Sequence, residues 1–151
     1  MHEPQPHDIR AAASLCHATL EPLADGDWTV PAGDLDWSAR FTLEHVSGAL
    51  TSYALHLAMR APHRLTVSRT IDASLSIGAL LTDMEARAAV LAEVVAAAPA
   101  TTRAFHARGM ADPSGFAAMA CDEILVHTDD IARGFGRPFQ PPGDLCRRVL
   151  A

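Results

Sequence analysis

Between Asp72 and Ala98, apolar side chains recur at Ile77, Leu81, Met84, Ala88, Leu91 and Val95, in alternating steps of four and three, and no proline interrupts them. A period near 3.5 residues keeps one side of a helix turned toward partners along its whole length, so this segment calls for other helices to bury it. Composition points the same way. Hydrophobic residues make up 49% of the chain, much of that alanine, while aromatics make up only 5%. Alanine costs least in a helix and offers a sheet little to pack. At 151 residues the chain has the size of one domain built on one core.

Three further helices can be placed around this one. Ile9, Ala12, Ala13, Cys16, Leu20 and Leu23 share a face, and Asp25, Gly26 and the loop through Pro31 and Gly33 stop it. A second helix starts after Trp37, with Ser38 or Asp36 as its cap, and ends near Met59 on the approach to Pro62. The stripe from Asp72 to Ala98 is the third, closed by Pro99. A polar loop containing Gly109 follows, and Asp112-Pro113 opens a fourth helix with an N-cap and a proline at its first position, ending at Gly134 and Gly136. From Pro138 to Ala151 the expectation is an extended tail or the start of a C-terminal region. The expected fold is therefore all-α, a four-helix bundle of up-and-down or crossover type, in a single domain spanning residues 1–151.

Charge removes several classes of partner. The formal net charge is -6, lysine is absent, and the twelve arginines form no basic block, so nucleic acid is not an expected partner. No apolar run approaches the roughly 20 residues that span a bilayer, and residues 1–10 lack a charged-then-apolar leader, so the expected location is the cytoplasm. Cys16, Cys121 and Cys146 are odd in number and lack CxxC spacing, which argues against both a disulfide framework and a zinc finger. They read as small apolar residues.

The fourth helix carries the chemistry. On a wheel of about 100° per residue, Phe116, Ala120, Glu123, His127, Ile131 and Gly134 share one face, so two ionisable groups sit in an apolar stripe. A buried carboxylate requires a partner, and His127, four residues on, is near enough to share one ion with Glu123 or to form a plain hydrogen-bonded pair. A third ligand has to come from elsewhere. His2 and His7 lie at the terminus and His63 and His106 in loops, all expected at the surface. His45 and His56, about 16 Å apart along the second helix, cannot share an ion. His45, at the margin of the Val46, Ala49, Leu50, Tyr53 and Leu57 stripe, is one candidate, and His17 on the first helix is its reserve. Cys121 points away from the Glu123 face.

Two motifs resemble a known family. The pattern Trp37-Ser38-x-Arg40-x-x-x-x-His45 is similar to the start of the second helix in DinB-like proteins, especially the N-terminal domain of mycothiol-dependent maleylpyruvate isomerases. The pattern Glu123-x-x-x-His127-x-x-Asp130-Ile131-Ala132 resembles that family's fourth helix, and the likeness runs from about His7 to Pro142. The resemblance implies a metal-binding four-helix bundle with His45, Glu123 and His127 as ligands, usually of zinc. Asp129 stands where the family commonly has an aromatic residue. The isomerases also carry a C-terminal domain that contributes to their thiol site.

Around this triad, Asp130 is expected either to orient a ligand histidine or a bound water, or to be a carboxylate at the helix surface. Arg40 either pairs with an acidic group or recognises an anionic substrate or cofactor. Trp28, Trp37 and Tyr53 are expected to pack, with Tyr53 the best placed to put a hydroxyl in a pocket. Two imidazoles and one carboxylate leave a divalent ion with open positions, and nickel and iron are alternatives to zinc. The resemblance implies a low-molecular-weight thiol such as mycothiol as co-reactant, used for S-transfer to, or cis-trans isomerisation of, a small electrophile. The competing expectations are a hydrolase in which the metal activates water, and a non-catalytic bundle that binds a small molecule or forms a homodimer.

Overall fold

The computed structural model describes residues 3–150; His2, expected at the surface, lies outside them. Four long helices form a bundle: α1 (Pro6–Leu20), α2 (Ala39–Ala58), α3 (Ile77–Ala97) and α4 (Pro113–Gly134). Helix α2 packs on α3 and α4, and α1 packs on α3 and α4, so α1 faces α2 across one diagonal and α3 faces α4 across the other. Chain order therefore twice crosses the bundle, from α1 to α2 and from α3 to α4. All three connections are long for a compact domain, in which loops beyond about 12–15 residues without structure of their own are uncommon and commonly functional.

Local chemistry sets the ends. Ser38 Oγ accepts the Phe41 amide at 3.1 Å, Ser76 Oγ accepts the Ala79 amide at 3.2 Å, and Asp112 Oδ1 accepts the Gly115 amide at 2.8 Å. The third helix begins at Ile77 and not at Asp72, because Asp72 is occupied in a turn, accepting the Ser74 amide at 2.8 Å, and Ser76 is the first residue free to cap. Helix α4 closes with a Schellman pattern: Arg137 N–H donates to Ala132 O and Gly136 N–H to Arg133 O, with Gly136 at φ 66°. Gly134 is still helical, and its role is contact: an added Cβ would lie 2.3 Å from the Pro31 carbonyl oxygen.

The core is aliphatic. Ile9, Leu20, Leu43, Leu50, Leu80, Leu81, Met84, Leu91, Phe116 and Ile124 are fully buried, and every apolar position of the α3 stripe lies inside. Cys16 and Cys121 are buried, and burial pushes both thiols up to about 12, so they remain protonated apolar fillers.

Two expectations are corrected. The Gly109 loop is a small hairpin, β1 (Ala104–His106) against β2 (Gly109–Ala111), and the fold is mostly helical with one two-stranded sheet. Its turn lacks the Asn-Gly signature, and Gly109 absorbs the bend at φ 133°, so nothing in a three-residue strand announced it. The hairpin is tied to the chain just past the end of α2 through Phe105 N–H donating to Ala61 O at 2.7 Å. In the segment expected as an extended tail or as the start of a C-terminal region, the chain is not extended throughout: it contains a short helix, α5 (Gly143–Val149).

Helix α5 is tied back by charge. Arg148 Nη2 donates to Asp8 Oδ1 at 2.8 Å, and the Asp8 side chain is fully buried while also accepting the Gln5 amide. Burial opposes ionisation of Asp8, but the Arg148 and Gln5 hydrogen bonds outweigh it and hold the carboxyl below its usual range. Removing one partner of a buried pair exposes the desolvation cost of the other. Arg148→Ala is expected to cost about 1–3 kcal/mol of unfolding free energy at neutral pH. A depressed carboxyl pKa contributes stability above its unfolded value near 3.8 and loses it as pH falls through the folded value, so the difference between variant and wild type should close below pH 4. Urea titrations at pH 7 and pH 3 check both statements.

Candidate metal centre

Helices α2 and α4 are neighbours, and their contact brings one side chain of α2 to two of α4 that lie more than 70 residues further along the chain. His45 projects from α2; Glu123 and His127, one turn apart, project from α4. Both His45 Nε2 and His127 Nε2 lie 3.5 Å from the same oxygen, Glu123 Oε2. One ligand atom from each residue falls within 4.8 Å of the others, so the group could hold a metal ion. Around a tetrahedral ion with bonds of about 2.0–2.2 Å, ligand atoms sit roughly 3.3–3.6 Å apart, which the two histidine-carboxylate spacings match.

The carboxylate is split between two tasks. Its Oε1 accepts the Tyr53 hydroxyl at 2.9 Å, whereas Oε2 is buried and has no hydrogen-bond partner. An orphaned buried carboxylate oxygen is costly unless something positive completes it, and a cation between the three groups would do so. Burial resists ionisation of Glu123, but the His127 and His45 rings beside Oε2 and the Tyr53 hydroxyl on Oε1 prevail and hold the acid far below the ordinary range. Burial, the Glu123 charge and the shared hydrogen bond together raise the pKa of the Tyr53 phenol, which remains a donor.

A second layer fixes His127. Its Nδ1 lies 3.0 Å from Asp130 Oδ2, and Asp130 Oδ1 accepts from Arg133 Nη2 at 2.7 Å. With the proton held at Nδ1, the Nε2 lone pair is left for the centre, as outer-shell carboxylates arrange in metal sites. Burial disfavours the imidazolium, yet hydrogen bonds to Glu123 and Asp130 reverse that and raise the His127 pKa above 6.5. Asp130 thus touches a histidine of the triad and is buried, so it is not a carboxylate at the helix surface.

Other residues fall differently. Arg40 donates to Glu44 Oε1 at 2.8 Å and to the carbonyls of Leu75 and Ala73, so it clips the α2–α3 connection onto α2. It is not among the residues that line the cavity beside the triad. The reserve ligand His17 pairs with Glu85 of α3 at 2.7 Å. Trp28 packs as expected, with Nε1 donating to Leu23 O and its ring 5.3 Å from Phe135. Trp37 does not belong to the core: it is 38% exposed, and its ring centroid lies 4.8 Å from that of His45 and 6.2 Å from that of His127, covering one side of the centre.

The residue missed from sequence is His106. Expected in a solvated loop, it is buried on β1, with its ring 5.1 Å from Tyr53 and 6.1 Å from Phe116. The hairpin carries it there, and the only hint was its place in Ala104-Phe105-His106, a short apolar-flanked run. His56 is also buried and serves the scaffold: Nδ1 donates to Ser52 O at 2.7 Å and Nε2 accepts the Leu65 amide at 3.0 Å.

No helix among the described residues is long and apolar enough to cross a membrane. No family model matches the chain, and neither a curated protein nor a solved structure matches it.

Proposed function

We propose that the protein is a DinB-like enzyme that depends on a divalent metal, zinc being the expected ion. Its reaction is S-transfer to, or cis-trans isomerisation of, a small electrophile, with a low-molecular-weight thiol of the mycothiol kind as co-reactant. The observation that carries the metal dependence is Glu123 Oε2, buried, unpartnered and equidistant from two imidazole nitrogens. The two motifs that resemble the DinB-like family support the thiol chemistry.

A divalent ion bound by two neutral imidazoles and one carboxylate keeps net positive charge and open positions, and it would hold a thiol as thiolate at neutral pH. The chain's own residues prepare that site. Tyr53 fixes the rotation of the Glu123 carboxylate through Oε1, so that Oε2 faces the histidines. Asp130, itself held by Arg133, fixes the tautomer and the ring orientation of His127. Trp37 shields one side from water, while the cavity beside Tyr53 leaves another side open to a small molecule.

The test is turnover of an electrophilic alkene such as a maleyl compound by the zinc-loaded protein, with and without thiol. Thiol-dependent isomerisation or adduct formation above the uncatalysed rate, lost on treatment with a chelator, is expected. Equal rates with and without any thiol would remove the thiol reading, and incorporation of solvent oxygen into the product would replace it with hydrolysis.

A further inference from the structure

Six of the twelve arginines, Arg10, Arg40, Arg87, Arg103, Arg133 and Arg148, have a carboxylate within ion-pair distance. Among the described residues the other six have none, and three of those, Arg64, Arg69 and Arg108, line a single cavity of about 210 Å³. The cavity shares a wall with the candidate metal centre, because His45, Tyr53 and Glu123 also line it. Glu123 is the only carboxylate on that wall, with Tyr53 donating to its Oε1 and the two triad histidines beside its Oε2. In a chain whose formal charge is -6, a crevice this cationic reverses the prevailing sign.

The arginines arrive on separate elements. Arg64 and Arg69 belong to the α2–α3 connection, which His56 Nε2 holds at Leu65 and Arg69 Nε holds at Gly48 O. Arg108 sits in the turn of the hairpin. That turn also sets His106: its Nδ1 accepts the Arg108 amide at 3.1 Å. The ring therefore carries its proton on Nε2, an N–H with no acceptor among the described residues, on a residue that lines the cavity and is 8% exposed. Burial is the main force keeping the imidazole neutral, lowering its pKa. Two guanidinium forks without acceptors, a third engaged only through its Nε by Gly48 O, and one imidazole N–H form a complement to an oxyanion, since guanidinium matches carboxylate and phosphate in shape as well as in charge.

We propose that this cavity is a subsite for the carboxylate or phosphate of an anionic substrate, held by Arg64, Arg69 and Arg108 and oriented by His106. It rests on the reading of the neighbouring triad as the reacting centre, and it narrows the electrophile to one with an anionic group beside its reactive carbon. The cavity is smaller than the about 300–1,000 Å³ that accommodates drug-sized ligands, which fits the charged end of a small molecule.

Calorimetric titration at fixed ionic strength with succinate and with inorganic phosphate tests this, using succinamide as the uncharged counterpart. Saturable one-to-one binding of either anion, no binding of succinamide, and a loss of about tenfold or more in affinity for Arg69→Ala or Arg108→Ala are expected, with Arg137→Ala as wild type. His106→Phe should weaken binding and His106→Gln, which keeps a donor, should restore part of it. No saturable binding, or equal affinity in all the arginine variants, overturns the subsite. Repeating the titration after chelation separates the two readings. Binding that disappears with the metal but ignores the arginines places the anion on the ion and overturns the subsite. Arginine-dependent binding in a protein that takes up no zinc keeps the subsite and removes the metal centre.

Discussion

Wild-type protein stripped of metal and dialysed against zinc is expected to retain one ion per chain, and His127→Ala to retain almost none under the same conditions. In the proposed centre His127 would supply one of three protein ligands, so its loss should weaken binding well beyond the 10- to 100-fold typical of an outer-shell partner. Asp130→Ala, which removes only the group that orients His127, should fall within that range. The ordering matters more than either value: a loss for Asp130→Ala as large as that for His127→Ala would mean Asp130 is itself a ligand. Zinc at about 100 times its dissociation constant stabilises a folded state by about 2.7 kcal/mol, or roughly 5–11 °C in Tm for a chain of this size. His127→Ala should show no such shift. Equal metal content in wild type and His127→Ala, measured by elemental analysis, would remove the centre.

Acid should oppose the metal. The His127 pKa is raised above 6.5, so in the metal-free protein the charged pair with Glu123 and Asp130 adds stability that is complete below 6.5 and lost as pH rises through the folded value. Metal needs the opposite state, with Nε2 free of its proton. The zinc-induced rise in Tm is therefore expected to be largest above the His127 pKa and to shrink as pH falls through it, with affinity dropping about tenfold per pH unit for each proton displaced.

The sequence disclosed whatever is periodic. The α3 stripe is buried at every apolar position, and Glu123 and His127 were recognisable because two ionisable groups interrupt an apolar face at helical spacing. His45 stood out less, as one of two helix-margin histidines, and the resemblance chose it; helix packing then placed its Nε2 beside Glu123 Oε2. What stayed hidden lies in the long connections. His106 reaches Tyr53 through a hairpin with strands too short to show alternation, and Trp37 sits over His45 because the 21–38 connection folds back, with Ala32 N–H donating to Trp37 O and Ala39 N–H to Val30 O. Such contacts depend on loop paths across the bundle, which residue spacing does not encode. Arg40 illustrates the same limit: its family-like position was legible, while its partners, two carbonyls more than 30 residues away, were not.

Gly134→Ala is expected to destabilise the protein by about 2 kcal/mol, against the direction that helix propensity alone predicts. Gly134 has ordinary helical backbone, and alanine in a helix is favoured over glycine by about 1 kcal/mol. The new Cβ would, however, lie 2.3 Å from Pro31 O and 3.3 Å from Ala32 Cα, and both neighbours are backbone that cannot rotate away. Relief requires the 21–38 connection to shift, with an overpacking cost of typically 1–3 kcal/mol and occasionally more, which exceeds the propensity gain. At roughly 2–4 °C per kcal/mol, the loss in Tm should be about 4–8 °C. The shift should reach the metal centre, because Pro31 bridges to Ser38, the cap of α2, and Trp37 beside it covers His45. Zinc affinity should fall along with stability, and tryptophan emission should move to the red as Trp37 gains exposure. Gly78→Ala is the control: its Cβ would meet nothing within 4 Å, so only the propensity term remains and Tm should hold or rise slightly. If Gly134→Ala melts with wild type while binding zinc normally, the close packing of α4 on the Pro31 connection does not hold this side of the site in place.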